Sequence, residues 1–193
     1  MKVLVHFSPE SLSNSYVLYG EPGSTAIVVD PRAFDIGFFE LLESRNLDVV
    51  AVLLTHGNQS TAHAIRTLHR VYDFKAYGGM DSNENVSLVN IKSETHFEIS
   101  GLVVESLFLP GHYLDSIVYR IGPYLFPGDL LSAGLIPDTD GAYGKALLIQ
   151  CLQESILEMP DRTLVLPTFG PPSTVGIERV TNQELKLSPE LST

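Results

Sequence analysis

The stretch VVAVLLTHGNQSTAH, from Val49 to His63, decides the fold. Its first six residues, Val49–Leu54, are all apolar, which is long enough for a β-strand buried on both faces and too short for a typical helix. The apolar run stops at Thr55-His56-Gly57. A buried strand that ends there places the His56 imidazole at the carboxyl end of a sheet, where sheet-based proteins usually form their sites.

Three further apolar segments end in short loops rich in proline and glycine. These are Leu102–Leu109 before Pro110-Gly111-His112, Tyr124–Phe126 before Pro127-Gly128-Asp129, and Thr163–Leu166 before Pro167-Thr168-Phe169-Gly170. Proline and glycine favour sharp reversals and close backbone approach, so each loop can hold one side chain at a fixed point. The predicted rim of the sheet therefore carries His56, His112, Asp129 and Phe169.

This order of motifs resembles the metallo-beta-lactamase fold family, whose first motif reads THxHxDH and whose later loops read PGH, GD and PGHG. The resemblance runs from Asn14-Ser15-Tyr16 and the strand ending Val29-Asp30-Pro31 to the segment from Phe169 to Glu178. Smaller members of this family include glyoxalase II-like hydrolases. The resemblance implies an α/β (α+β) fold, an αββα four-layer sandwich of two mixed β-sheets flanked by helices. Residues 1–193 would form this single domain, with residues 184–193 as a loose tail.

Several metal-ligand positions of the family differ in this chain. With Thr55-His56 aligned, the second histidine falls on Asn58, the aspartate on Ser60, the third histidine on Thr61 and the PGHG histidine on Phe169. The resemblance leaves His56, His112 and Asp129 as metal ligands, a set that would hold at most one zinc or non-haem iron ion. The alternative is a metal-free relic in which His56 and Asp129 bond to each other.

Other polar residues near these motifs are assigned lesser roles. Ser60 and Thr61 are expected to cap the helix that follows His56. His63 should point away from the site, because two residues along a helix rotate a side chain by about 200°. Ser60 replaces the aspartate that orients water in the family, so the candidate catalytic residues are Asp129 and Asp115. Asp115 could act as the base only if its loop turns inward. Otherwise Tyr113 and Asp115 are expected to pack the loop.

Composition narrows the class of partner. The chain carries 12 basic and 23 acidic residues, a net charge of −11, which disfavours binding to nucleic acid or to anionic membranes. The amino-terminal apolar run is interrupted at His6, so no signal peptide or membrane span is expected, and a cytoplasmic location is predicted. A single cysteine, Cys151, is expected to be a buried structural thiol in a helix.

Periodicity gives the remaining elements. Helices are expected at Asp35–Arg45, from Ser60 or Thr61 to Tyr72, at Tyr143–Leu157, and after Ile177. In the second of these, Ala62, Ile65, Leu68 and Tyr72 are expected to form one buried stripe. Additional strands are expected at Lys2–Phe7, Tyr16–Tyr19, Ala26–Val29, Phe74–Tyr77, Val86–Ile91, His96–Ile99 and Ser116–Ile121.

Three function hypotheses follow, all with a small-molecule substrate or ligand. The first is a metal-dependent hydrolase of an ester or thioester, with weak or lost activity because ligands and the base position have changed. The second is a mononuclear iron enzyme that uses oxygen and resembles the persulfide dioxygenases, since two histidines and a carboxylate form a facial triad. The third is a non-catalytic descendant that binds a ligand or partner in the old cleft. Fold alone does not choose among them.

Overall fold

The structure is a computed structural model that describes residues 1–57, 59–79, 88–110 and 112–186, with the backbone alone for residues 59 and 60. The described residues form two six-stranded sheets. The first contains β1 (Lys2–Ser8), β2 (Ser13–Tyr19), β3 (Thr25–Val29), β4 (Asp48–Leu53), β5 (Lys75–Gly78) and β6 (Leu88–Asn90) in that order. The second contains β7 (Thr95–Ile99), β8 (Leu102–Phe108), β9 (Ile117–Ile121), β10 (Tyr124–Phe126), β11 (Leu164–Val165) and β12 (Ser173–Thr174).

Both sheets are mixed. In the first sheet β1, β2 and β3 are antiparallel neighbours, whereas β3, β4, β5 and β6 run parallel to one another. In the second sheet β10 and β11 are parallel and the other neighbours are antiparallel. The helical segments are α1 (Ile36–Glu43), α2 (Gln59–Leu68), α3 (Gly141–Cys151), a π-helical turn (Leu152–Ile156), α4 (Val175–Thr181) and a 3₁₀ turn (Glu184–Lys186).

Three apolar clusters show how these elements are layered. Because side chains alternate along a strand, one sheet can supply two cores. In β3, Val28 packs with Phe38 and Leu42 of α1, whereas Ile27 packs toward the second sheet with Tyr119. The outer face of the second sheet packs against α3 and the π-helical turn. The predicted helix–sheet–sheet–helix sandwich is therefore confirmed.

Most predicted elements agree with the structure, and the differences lie mainly at helix ends. Helix α2 ends at Leu68, four residues before the predicted end, and Ala64 is fully buried where Ala62 was expected to be. The helix expected after Ile177 begins earlier, at Val175, because the Thr174 side chain accepts the Ile177 N–H and caps it.

Two sequence predictions concern the carboxyl-terminal part of the chain, namely its tail and Cys151. At the start of the predicted tail, Glu184–Lys186 forms a 3₁₀ turn in which Leu185 is buried, and residues 187–193 lie outside the described residues. Cys151 is half-buried and packs against the outer core of the second sheet. Burial, together with the Glu154 charge, raises the pKa of its thiol, as expected for a structural cysteine. Within the described ranges, no helix has the length and hydrophobicity needed to cross a membrane.

Candidate functional site

Two parallel strands of the first sheet, β3 and β4, place the first site residues at one edge of that sheet. Strands β3 and β4 are paired with Val29 opposite Leu53, and the Asp30 N–H donates to the Leu53 carbonyl at 3.0 Å. Because parallel strands end side by side, the segments that follow them share the same rim. Arg32 and His56 therefore enter one site from neighbouring strands.

A buried carboxylate, Asp30, fixes both segments. Its Oδ1 accepts the Thr55 backbone N–H at 2.9 Å, and its Oδ2 accepts the hydroxyl hydrogens of Thr55 at 2.7 Å and Thr168 at 3.1 Å. Asp30 adopts a left-handed backbone conformation with φ of 46°, which aspartate tolerates better than most residues. These bonds join the loops after β3, β4 and β11 into one rim.

The Asp129 loop packs against the same threonine. Gly128 has a φ of +62°, and a Cβ atom at this position would lie 2.3 Å from Thr55 Oγ1. Only glycine allows this approach without displacing the loop. The Gly128 carbonyl also accepts the Thr168 N–H at 3.0 Å. Asp129 is thus positioned by backbone contacts to the rim residues that flank His56.

Arg32 contacts two of the three predicted metal ligands. Its Nη2 lies 3.0 Å from Nε2 of His56, 2.9 Å from Oδ1 of Asp129 and 3.0 Å from Oδ2 of Asp129. The His56 Nε2 and Asp129 Oδ2 atoms are 3.3 Å apart. All three side chains are largely buried, with exposed fractions of 7% for Arg32, 4% for His56 and 13% for Asp129. The structure therefore brings His56 and Asp129 together around a guanidinium group.

The hydrogen-bond partners assign the tautomer of His56. The Thr55 hydroxyl uses its hydrogen on Asp30, so at 3.1 Å it accepts a hydrogen from Nδ1 of His56. Nε2 is then the unprotonated nitrogen, and it accepts an N–H from Arg32. A continuous relay runs from Arg32 through His56 and Thr55 to the Asp30 carboxylate.

Two aromatic rings enclose this group. The Arg32 Cζ atom lies 5.1 Å from the ring centre of Phe169, within the range of a cation–π contact. The Tyr113 ring stacks on the His56 imidazole with centroids 5.0 Å apart and planes 9° apart. The Phe169 loop is held by Asn14, whose amide donates to the Pro167 and Gly170 carbonyls. Phe169 thus supports the Arg32 cation from a position where the family pattern has a histidine.

His112 has a separate backbone partner. Its Nδ1 lies 2.8 Å from the Asp138 carbonyl oxygen, which can only accept, so Nδ1 carries the hydrogen and Nε2 keeps its lone pair. The ring centroids of His112 and Tyr113 are 4.0 Å apart. Tyr113 therefore contacts both predicted histidine ligands, on the same loop as His112.

The loop that carries Asp115 turns inward. Asp115 Oδ2 accepts the Gly57 N–H at 2.6 Å, directly after His56. The loop also lies close to Gly79, where a Cβ atom would be 2.5 Å from the Asp115 carbonyl oxygen. The Asp115 carboxylate holds the backbone that follows His56, in the way that a helix or loop cap does.

The donor atoms can be compared with the requirements of a metal ion. Two ligands on a tetrahedral zinc ion, with bonds of about 2.0–2.1 Å, lie roughly 3.3 Å apart. The His56–Asp129 separation matches this spacing, but Nη2 of Arg32 lies 3.0 Å from both His56 Nε2 and Asp129 Oδ2. In the described part of the chain, no three histidine, cysteine, aspartate or glutamate side chains are grouped to hold an ion. With Arg32 in this position, the residues do not fit a metal.

The other predicted residues can be placed only in part. Asn58 and the Ser60 side chain lie outside the described residues. Thr61 is buried with 2% exposure, and His63 is exposed as expected. Sequence reasoning missed Arg32 as a site residue. The available signal was the pair of apolar runs that end at Val29 and Leu54, because the strands they form, β3 and β4, pair with Val29 opposite Leu53 and place Asp30-Pro31-Arg32 beside Thr55-His56.

No protein-family model matches the chain. Its curated relatives include uncharacterized proteins and hydrolases. An uncharacterized protein of Mycobacterium tuberculosis is 27% identical over 207 residues, which cover 90% of this chain and 92% of that protein. The probable metallo-hydrolase YqgX of Bacillus subtilis is 25% identical, covering 88% of this chain and 90% of the relative. A hydroxyacylglutathione hydrolase of Hamiltonella defensa is 29% identical over 84% of this chain, and the chain spans 64% of that enzyme, less than two thirds of its length.

Solved structures give the same assignment of fold. ETHE1 from Myxococcus xanthus superposes with a TM-score of 0.84 at 23% identity, covering 98% of this chain and 87% of that chain. The BLEG-1 B3 metallo-beta-lactamase superposes with a TM-score of 0.79 at 22% identity, covering 96% of this chain and 100% of that chain. A protein crystallised in a di-iron-bound form, TTHA1623, superposes with a TM-score of 0.70 at 24% identity over 89% of this chain and 94% of its own. The chain therefore has the metallo-beta-lactamase fold, and its sequence is distantly similar to that of a probable metallo-hydrolase and of a hydroxyacylglutathione hydrolase.

Proposed function

We propose that this chain is a metallohydrolase-fold protein with a degenerate active site, weak or absent hydrolase turnover and at most one metal ion. The observation that supports this most is the commitment of His56 Nε2 and both Asp129 oxygens to a single Arg32 nitrogen. A metallohydrolase needs such lone pairs to hold an ion that activates water and polarises the scissile carbonyl. Here the same lone pairs bind a guanidinium group.

The base that hydrolysis requires is also compromised. Asp115 turns toward the site, but its Oδ2 accepts the Gly57 N–H at 2.6 Å and holds the His56 loop. Loss of general-base assistance alone costs about 10²- to 10⁴-fold in rate. The Phe169 ring offers no lone pair to a second ion. Together these features support the proposal that the cleft binds a small molecule more effectively than it hydrolyses one.

A mononuclear iron enzyme is the second candidate, and one feature of His112 favours it. The Nδ1–H of His112 donates to the Asp138 carbonyl, which orients the ring and leaves Nε2 with a lone pair, as in metal-ligating histidines. His56, His112 and Asp129 would be the ligands, provided that Arg32 moved away. The structural likeness to ETHE1 is compatible with this candidate and with the first one.

The surface charge supports a small-molecule ligand over a large polyanion. A net charge of −11 repels phosphate backbones and anionic lipid headgroups. Nucleic acid and membrane surfaces are therefore poor partners.

Elemental analysis and hydrolase assays test the proposal together. Protein purified without added metal should contain no more than one zinc or iron ion per chain. Turnover of generic thioester, lactam and phosphodiester substrates should be weak and should not depend on His112, so His112→Ala should match the wild type. Stoichiometric zinc with robust turnover that His112→Ala abolishes would refute the proposal. Stoichiometric iron with oxygen consumption would establish the second candidate instead.

A further inference from the structure

We propose that the Arg32 guanidinium is a built-in cation that takes the position of a metal ion, and that its removal would create a single-ion site. The inference rests on the proposed function, because it explains how a metallohydrolase fold stays ordered with at most one ion. It also goes further, since it assigns the exclusion of metal to one side chain. Arg32 lies outside all the motifs that carry the family resemblance.

The position of Nη2 is the first argument. This nitrogen is equidistant, within 0.1 Å, from His56 Nε2 and the two Asp129 oxygens, at 2.9–3.0 Å. The gap between His56 Nε2 and Asp129 Oδ2, 3.3 Å, is the spacing of neighbouring ligands on a zinc ion. The lone pairs therefore converge on a single point, and a charged nitrogen stands close to it.

Charge balance is the second argument. Asp129 is largely buried, and a buried carboxylate needs a cation or several hydrogen-bond donors. Arginine carries a permanent positive charge, so the pair with Asp129 does not depend on metal supply. The unprotonated Nε2 of His56 accepts the remaining N–H of Nη2. The site is electrostatically complete with Arg32 alone.

The anchoring of Arg32 is the third argument. Its backbone N–H lies 3.4 Å from Ser15 Oγ, and the Ser15 hydroxyl donates to the Asp30 carbonyl at 2.9 Å. Its guanidinium lies over the Phe169 ring, and only 8% of the residue is exposed. Arg32 is thus fixed at both its backbone and its charged end. A divalent ion that entered would have to displace a held group.

Metal titration of arginine variants tests this inference. In Arg32→Met the neutral side chain keeps most of the apolar stem but removes the charge and every donor. Its affinity for Zn²⁺ should exceed that of the wild type by roughly 10- to 100-fold, the factor for one or two charge-assisted hydrogen bonds that no longer compete. The readouts are calorimetric titration with zinc chloride and zinc content after dialysis, and neither depends on catalysis.

Two controls assign the gain to the proposed position. Adding His56→Ala to Arg32→Met should abolish the gained affinity, because it removes a converging ligand. Arg120→Met should bind zinc like the wild type, because Arg120 pairs with Glu105 on a half-exposed strand surface. Arg32→Gln is the second variant, since its amide can still donate to Asp129 and preserve the fold; it should also gain zinc affinity.

The outcomes separate the inference from the proposed function. The inference is supported if Arg32→Met or Arg32→Gln binds Zn²⁺ more tightly than the wild type and adding His56→Ala removes that gain in affinity. Folded Arg32 variants that bind zinc no better than the wild type overturn it, while the wild type's low metal content and weak turnover would leave the proposed function intact. If the wild type itself holds tight, stoichiometric zinc through His56, the inference fails, and the proposed function fails with it only if that zinc supports robust turnover.

Discussion

The backbone of Gly128 lies directly against the side chain of Thr55, so close that a Cβ atom on Gly128 would be 2.3 Å from Thr55 Oγ1. This contact joins the loop that carries Asp129 to the residue before His56. Since Gly128 also has a φ of +62°, two separate constraints require glycine at this position. The site geometry therefore depends on a residue that has no side chain.

Gly128→Ala should accordingly be strongly destabilising. We expect a loss of about 3 kcal/mol or more in the free energy of unfolding, from overlap with Thr55 added to left-handed backbone strain. Gly141 is the matched control, because it has a φ of +83° but a Cβ atom added there would meet no atom within 4 Å. Gly141→Ala should cost only about 1 kcal/mol. Urea unfolding of both variants measures the difference, and equal losses would show that the contact with Thr55 is unimportant.

Asp30 is expected to be a major stabilising residue of the rim. Its carboxylate accepts three hydrogen bonds from Thr55 and Thr168 in a buried setting. Asp30→Asn retains a residue that tolerates positive φ but loses the charge and one acceptor oxygen, which should cost about 1–3 kcal/mol. Asp73→Asn, at an exposed position, serves as the control and should stay within roughly 0.5 kcal/mol of the wild type. A similar small effect for Asp30→Asn would contradict the proposed relay.

Asp115 should behave as a residue that positions the His56 loop. Asp115→Ala leaves the Gly57 N–H without its partner and should reduce stability by about 1–2 kcal/mol. Asp115→Asn keeps an oxygen that accepts this N–H, so it should recover most of that loss. The comparison is made by thermal or urea unfolding of the two variants. If Asp115→Asn kept the stability of the wild type but lowered a measured hydrolase rate as much as Asp115→Ala does, Asp115 would be acting as a base.

Asp35 gives the fold a predictable acid sensitivity. Partial burial disfavours its charged form, but the Phe38 N–H and the His6 ring outweigh this and lower the pKa of the Asp35 carboxyl. Because the pKa of this carboxyl is lower in the folded state than in the unfolded state, its ionisation stabilises the fold at pH values above the unfolded-state pKa of about 3.9. That stability is lost as the pH falls through the folded-state pKa. The stabilities of the wild type and Asp35→Asn should therefore differ at neutral pH and converge as the pH falls below the unfolded-state pKa and through the lower folded-state pKa. A constant difference across this range would exclude the mechanism.

The individual strands were predictable because their signals are local, whereas the sandwich arrangement was implied by the resemblance of the loop motifs to those of the metallo-beta-lactamase fold family. Uninterrupted apolar runs such as Val49–Leu54 predict strands buried on both faces, and β4 is packed between two cores as expected. Helix ends were less predictable, since α2 ends at Leu68 although the apolar spacing continues to Tyr72. Tyr72 is still buried, but its hydroxyl donates to Glu43 from a turn after the helix.

The chemistry of the site was predictable only in part, because its decisive contact is long-range. His56, His112 and Asp129 stand in recognisable loops, whereas Arg32 follows an ordinary Asp-Pro pair. Its partners His56 and Asp129 are 24 and 97 residues away in the sequence. No periodicity or composition links residues at such separations. Strand order supplies the link, since it makes the ends of β3 and β4 neighbours.

A crystal structure determined from crystals grown with excess zinc would show whether Arg32 or a zinc ion binds His56 and Asp129. We expect the Arg32 guanidinium to stay between His56 and Asp129, with no anomalous zinc signal at that position. A zinc ion bonded to His56 and Asp129 at about 2.0–2.2 Å, with Arg32 turned away, would contradict the account.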